Sequence, residues 1–363
     1  MEENKNRIYV REVNGNYGAK GILRELRSWP RVHRVSDIPW ERGPRVFNKW
    51  LVTPRRDPVQ SLQMHIETYS PGARSERHGH QNEAAFYILE GRGYEIHDGR
   101  RYDWKAGDLV VVHNSCVHQH FNASDTEPFT VLIFKTKPLH FMHSLVFQKE
   151  LEALPQEPNV GYRPDDSYPK EERKFWRQGN RKVTYYQDDL AGLPMTINRK
   201  YAAGDMRKVI RPEDMPWEDS PQGRLKHVLN ERLCAELGVP VVSVDAYIQE
   251  ISPGSRSGKH RHMSEEFLFV LEGQGYDLHW DVDLDLKDSG YEWQVATEPT
   301  RHEWQAGDLI YVPVNTIHQH FALGDRPARL LSMSSRVYTY LGYGNYDLEQ
   351  LETAPEFAGE ASA

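Results

Sequence analysis

The sequence predicts an all-β protein made of two tandem β-sandwich or jelly-roll domains with a few bracing helices. Three observations carry this expectation. Short β-like runs separated by turn residues recur through both halves. A pattern of glycines and histidines in the first half returns in the second. Little helical periodicity lies between the runs.

Taken in order, residues 1–36 mix Arg, Glu, Gly and single aromatics without strong periodicity and read as an N-terminal arm packed on something else. The first domain is expected over 37–144. It opens on Asp37-Ile-Pro-Trp40, a turn or edge, since proline disfavours a continuing helix. Leu62–Tyr69 alternates in polarity, Ser70-Pro-Gly72 breaks the run, and Ala85–Leu89 is apolar. Tyr94–His97 and Arg101–Trp104 flank an Asp98-Gly99 hairpin turn, and Leu109–His113 follows the Gly107-Asp108 turn. Residues 145–205, rich in Pro, Gly and charge, read as a linker with local structure.

The second domain is expected over 206–345 and begins on Asp214-Met-Pro-Trp217, an echo of the first. Between Gly223 and Leu237 the spacing of Leu225, Val228, Leu229 and Leu233 predicts a helix stopped by Gly238. Val244–Ile251, Phe267–Leu271, Gly275–Trp280, Leu309–Val312 and Ala328–Met333 repeat the strand succession, with an inserted acidic loop at 280–293. A C-terminal tail is expected over 346–363, and its small, polar end from Thr353 to Ala363 is expected to fray.

Composition narrows the function. The 363 residues suffice for two domains, and 38% hydrophobic with 27% charged residues is the balance of a soluble globular chain. A formal net charge of -8 argues against a nucleic-acid partner. Only Cys116 and Cys234 are present, one in each half, which favours packed thiols in a reducing compartment over a disulfide. No apolar run approaches the roughly 18 residues needed to span a bilayer, and no signal core follows Met1, so a cytoplasmic protein without a membrane partner is expected.

The chemistry lies in the repeated stretch. Aligning Gly72 with Gly254 sets His78 on His260, His80 on His262 and Gly91 on Gly273; after the acidic insertion, His118 falls on His318 and His120 on His320. On a strand, residues two apart share a face, so each His-x-His presents two imidazoles to one point. With Glu266 and His318, the second half offers three imidazoles and a carboxylate, a set suited to iron, manganese, nickel, copper or zinc. The first half keeps His78, His80 and His118 but has Ala84 where the carboxylate belongs, with Glu83 one residue away as a substitute. His120 and His320, two residues beyond a ligand, are candidate catalytic proton carriers. Arg74, Arg77, Arg256, Lys259 and Arg261 are near enough in sequence to meet a substrate carboxylate.

These motifs resemble those of the cupin superfamily. Gly254, His260, His262, Glu266 and Gly273 match its first motif throughout, and Gly307, Pro313 and His318 match its second, which Asn315 and Ala322 leave. In the first half Gly72, His78, His80, Gly91, Gly107, His118 and Asn122 match, with Ser115 for a glycine, Ala84 for the glutamate and His113 for the proline. The resemblance implies a metal-binding bicupin. Its three-His first half is similar to the gentisate, salicylate and hydroxynaphthoate ring-cleaving dioxygenases. That likeness implies Fe(II), an aromatic or enol substrate bearing hydroxyl and carboxylate, and O2. The complete second set resembles instead the oxalate decarboxylase, quercetinase and acireductone dioxygenase branches, which implies a metal-dependent decarboxylase or isomerase of a small acid. A non-catalytic binding bicupin is the third alternative. Fe(II) is the expected ion, with Mn(II), Ni(II), Cu(II) and Zn(II) as alternatives at one or two per chain, and assembly into a homo-oligomer is expected.

Overall fold

A computed structural model describes residues 20–357 apart from 43–45, 55, 60, 98, 115, 153–206, 240, 242 and 344–347. Asp98, Ser115, the arm before residue 20, the linker from 153 to 205 and the end of the tail therefore lie outside the described residues.

Each half is a pair of facing antiparallel sheets. In the first half, a seven-stranded sheet runs Val209–Ile210, Leu109–Val112, Ala84–Glu90, Phe129–Lys135, Gln63–Tyr69, Val46–Val52 and Glu41–Arg42. Opposite it lie Gln148–Glu152, Arg77–His80, Cys116–Asn122, Arg92–His97 and Arg100–Lys105. The second half repeats the arrangement with Val32–His33, Leu309–Val312, Glu266–Glu272, Ala328–Ser335, Val244–Ile251, Gly223–Leu229 and Glu218–Ser220. Its facing sheet is built on Gln274–Lys287, Thr316–Leu323 and Lys259–Arg261, edged by Glu349–Glu352. This is the cupin-type bicupin fold.

Strand alternation sorts the side chains into two kinds of core. Met64, Leu132, Phe134, Tyr87, Phe267, Phe269, Leu331 and Met333 form one buried cluster shared by both halves. The alternate residues, Phe86, Val131 and Ile133 in one half and Leu268, Val270 and Leu330 in the other, fill the separate sandwich interiors. Gly91 and Gly273, the turn glycines of the repeated motif, both have positive φ (84° and 87°). A Cβ on Gly91 would also lie 2.6 Å from the Pro128 carbonyl, so no other residue fits this turn without strain.

The halves exchange strands. Val32–His33, in the N-terminal arm, pairs with Leu309 and Ile310 of the second half, while Val209–Ile210 pairs with Leu109 and Val110 of the first. The helix Lys20–Ser28 and the residues after it set Arg27 and Arg31 against Asp283 and Asp281 at 2.6 and 3.0 Å. The arm thus neutralises the acidic insertion.

Three expectations require correction. The stretch Gly223–Leu229 is a strand paired with Val244–Ile251, and only Glu231–Leu237 is helical. Asn230 accepts the Leu233 N–H as an N-cap, and Gly238 closes the helix in the left-handed region. Spacing alone could not separate the buried leucines of a strand from one face of a helix. The acidic insertion is not a loop but a hairpin, Gln274–Lys287 on Gly290–Val295. Within the stretch read as a linker with local structure, Gln148–Glu152 is a strand laid along Arg77–His80. The tail does not fray from Thr353, because Ala354 is buried and its N–H donates to the Pro221 carbonyl at 2.8 Å, after Glu349–Glu352 has paired with Lys259–Arg261. Ordered backbone hydrogen bonds outweigh the polar composition in both segments.

Candidate metal centre

Sheet register assembles the ligands. In the first half His118 pairs across to His78 on one side and to His97 on the other. In the second, His318 pairs with His260 and with His279. His80 and His262 join from the same short strands or their ends. The result is two clusters, His78–His80–His118 and His260–His262–His318–Glu266, in which the ligating atoms lie within 4.8 Å of one another.

Hydrogen bonding fixes which nitrogen faces inward. Every one of the six imidazoles places Nδ1 against a backbone carbonyl. In the first half the partners are Glu76 (3.1 Å), Asn82 (2.7 Å) and Cys116 (3.2 Å). In the second they are Gly258 (3.2 Å), Ser264 (2.8 Å) and Thr316 (3.0 Å). A carbonyl only accepts, so each Nδ1 carries its proton and each neutral ring turns a bare Nε2 lone pair toward the centre. Among the described residues, the Nε2 atom of His118 is buried without a hydrogen-bond partner.

Burial keeps five of these rings, those of His78, His80, His118, His260 and His318, neutral. It pushes the His78 and His318 imidazoles down to about 4, and it pulls His80, His118 and His260 well below their ordinary value, with neighbouring imidazoles adding to the effect. Glu266 Oε2 nevertheless sits 3.2 Å from His262 Nε2 and 3.4 Å from His318 Nε2. Lone pairs and a carboxylate converging on one point fit a divalent cation, which would satisfy all of them at once. Tyr247 OH donates to Glu266 Oε1 at 2.9 Å, and Ser332 Oγ donates to the same oxygen, orienting the carboxylate.

Among the described residues, the first centre has no such carboxylate. Ala84 pairs with Val112 as Glu266 pairs with Val312, so the two occupy the same place. Glu83 does not substitute: its Oε2 accepts the Ser243 N–H at 2.9 Å, between the halves. Strand alternation turns it away from the centre.

Below each cluster lies a feature that the motif reading missed. Glu95 bridges His97 Nε2 and His120 Nδ1, the latter at 2.8 Å. Asp277 bridges His279 Nε2 (3.3 Å) and His320 Nδ1 (2.9 Å) and also accepts Trp304 Nε1–H at 2.7 Å. Burial opposes protonation of His120 and His320, but the charge and hydrogen bond of the carboxylate outweigh it and raise both. Burial likewise works against the Glu95 carboxylate, and its two histidines prevail, holding it at about 2. Glu95-Ile-His97 and Asp277-Leu-His279 recur in the same register as the ligands, so the internal repeat held the signal.

Two of the cations proposed from sequence proximity find other work. Arg261 binds Glu349 at 2.5 Å and Asn315 at 2.7 Å, and Lys259 lies 4.0 Å over the Trp280 ring. Cys116 and Cys234 are buried thiols, and burial pushes Cys234 up to about 11.

Comparison with known proteins agrees with the fold. Residues 65–135 match the cupin domain family, and residues 209–340 match the family described as auxin binding protein. Auxin-binding protein T85 of Nicotiana tabacum is 26% identical over 112 residues. That match covers 31% of this chain and about half (54%) of the relative's length. Among solved structures, the oxalate decarboxylase of Lactobacillus farciminis in a formate complex is similar at a TM-score of 0.56 and 16% identity, covering 88% of each chain. The Bacillus subtilis oxalate decarboxylase at pH 4.6 gives 0.52 at 13% identity, over 89% of this chain and 88% of that one. At such identities the likeness is one of fold. Among the described residues, no helix is long and apolar enough to cross a membrane.

Proposed function

We propose that this bicupin is a metal-dependent enzyme that decarboxylates a small carboxylate-bearing substrate, with the chemistry at His260, His262, Glu266 and His318. The observation that carries the reading is the locked set of inward Nε2 atoms beside an ionised carboxylate. The fold's likeness to structures named oxalate decarboxylases supports it. A divalent ion such as Fe(II) or Mn(II), or else Ni(II), Cu(II) or Zn(II), would polarise a bound carboxylate oxygen there.

The chain's own residues supply the rest. In the reaction the carbon–carbon bond to the carboxylate breaks, CO2 leaves, and the electron pair left on carbon takes up a proton. His320 is the donor in this scheme: Asp277 holds its Nδ1, its Nε2 is buried without a hydrogen-bond partner, and its ring lies 5.4 Å from that of His318. His120, held by Glu95, is its counterpart in the first half.

One observation favours a second reading. With Ala84 in place of a carboxylate, the His78–His80–His118 centre leaves more coordination positions for a bidentate substrate and O2. That is the requirement for oxidative cleavage of a hydroxylated, carboxylated aromatic. The two readings separate in one assay. Metal-loaded protein is given oxalate, small keto acids, gentisate, salicylate and hydroxynaphthoate, with O2 uptake and anaerobic CO2 release both recorded. Anaerobic CO2 release supports decarboxylation; O2 uptake without it supports ring cleavage and overturns the first reading.

A further inference from the structure

The place left open by Ala84 faces a lysine. Phe134 pairs with Ala85, so the next residue along the strand, Lys135, falls beside Ala84. Its alternate neighbours Ile133 and Val131 pack in the interior cluster with Ala84 and Phe86, whereas Phe134 and Leu132 belong to the core shared between halves. Lys135 therefore shares the inner face, and its charge is felt at His65, His78, His80 and His120. In the second half Ser334 occupies the corresponding place, paired with Glu266. The halves have thus exchanged a carboxylate and a small hydroxyl for a methyl and a cation.

Glu67 lies on the same inner face but is committed elsewhere. Its Oε1 meets His65 Nε2 at 3.1 Å, and its Oε2 accepts from Tyr69 OH at 2.7 Å. Lys135 makes no hydrogen bond or ion pair among the described residues. Burial draws its ammonium down to about 8, with Lys137 adding to the effect and the nearby Glu67 carboxylate opposing it, so it remains mostly charged at neutral pH.

We infer that the His78–His80–His118 centre is an anion-binding site, in which Lys135 receives one carboxylate group of a small organic acid whose other oxygens would reach a divalent ion held by the three imidazoles. This rests on the reading that the substrate carries a carboxylate, and it assigns the first centre a binding role whatever reaction follows. A single ammonium–carboxylate contact, desolvated beside Ala84, is strong enough to select acids over their neutral amides.

The test is calorimetric and needs no turnover. Full-length protein carrying His260→Ala and His318→Ala, loaded with Zn(II), is titrated with oxalate and with the neutral diamide oxamide. Lys135→Met is expected to weaken oxalate binding about tenfold or more while Zn(II) content stays unchanged, and Lys135→Arg to restore most of it. Oxamide binding should not respond. Oxalate affinity within about twofold of the parent in Lys135→Met, with zinc retained, would overturn the inference. Ala84→Glu, made in the otherwise unaltered chain, gives an independent check. It should rebuild the carboxylate beside Lys135 and abolish one oxalate-binding event, and unchanged stoichiometry would contradict the site. Failure of every turnover assay would sink the decarboxylase reading and leave this result standing.

Discussion

Ala84 and Glu266 stand at the same point of the same strand in the two halves, opposite Val112 and Val312 respectively. One half therefore offers a divalent ion three imidazoles, the other three imidazoles and a carboxylate. The second centre should hold its ion more tightly. Glu266→Ala should lower metal affinity there by at least about tenfold, toward that of the first centre, as read by competition with a chromophoric chelator. Equal affinity before and after the substitution would remove Glu266 from the ligand set.

If reaction and tight binding coincide, His260→Ala should cost more activity than His78→Ala. The reverse order of losses, measured as kcat/KM at saturating metal, would place the chemistry in the first half and favour O2-dependent cleavage.

The buried bridge at Asp277 carries both stability and proton placement. Asp277→Ala leaves His320 Nδ1, His279 Nε2 and Trp304 Nε1 without their acceptor, and should destabilise the protein by about 3 kcal/mol in chemical denaturation. Asp277→Asn, which keeps the shape and removes the charge, should recover part of the stability but not the proton on His320. Its activity–pH profile should then differ from wild type. Matching profiles would remove His320 as proton donor.

Acid should destabilise the metal-free protein through its cage. Burial holds His78 and His318 at about 4, against an ordinary 6.5 in the unfolded chain. Between those values the unfolded state binds more protons, so stability is complete above about pH 6.5 and falls as pH drops toward about 4. The melting temperature of apo protein over this range checks the sign. Saturating divalent metal should raise the curve most at neutral pH, where the ligands are free of protons.

The parts of the fold that were legible in the sequence are those carried by repetition and alternation. Two copies of His-x-His at matching offsets placed the ligands on facing strands, and Gly91 and Gly273 marked turns that only glycine tolerates. Contacts made across the chain were not legible. Glu83 and Glu265 look like spare ligands beside their motifs, yet Glu83 accepts the Ser243 N–H at 2.9 Å and Glu265 accepts that of Ser61 at 2.8 Å, a reciprocal clasp between halves. Nothing local distinguishes such a carboxylate from one turned toward a metal. The strand exchange of Val32–His33 and Val209–Ile210 has the same character, since two-residue pairings leave no periodic trace. Lys135 was hidden for a different reason: it lies outside both motifs, and only register sets it beside Ala84.

The central claim is that the chain builds two metal centres from its repeated histidines. Metal content per chain, measured by plasma mass spectrometry after reconstitution and desalting, tests it most directly. The account predicts about two ions in the wild type, about one in the His78→Ala, His118→Ala double variant, and about one in the His260→Ala, His318→Ala double variant. A content that neither double variant changes would contradict it.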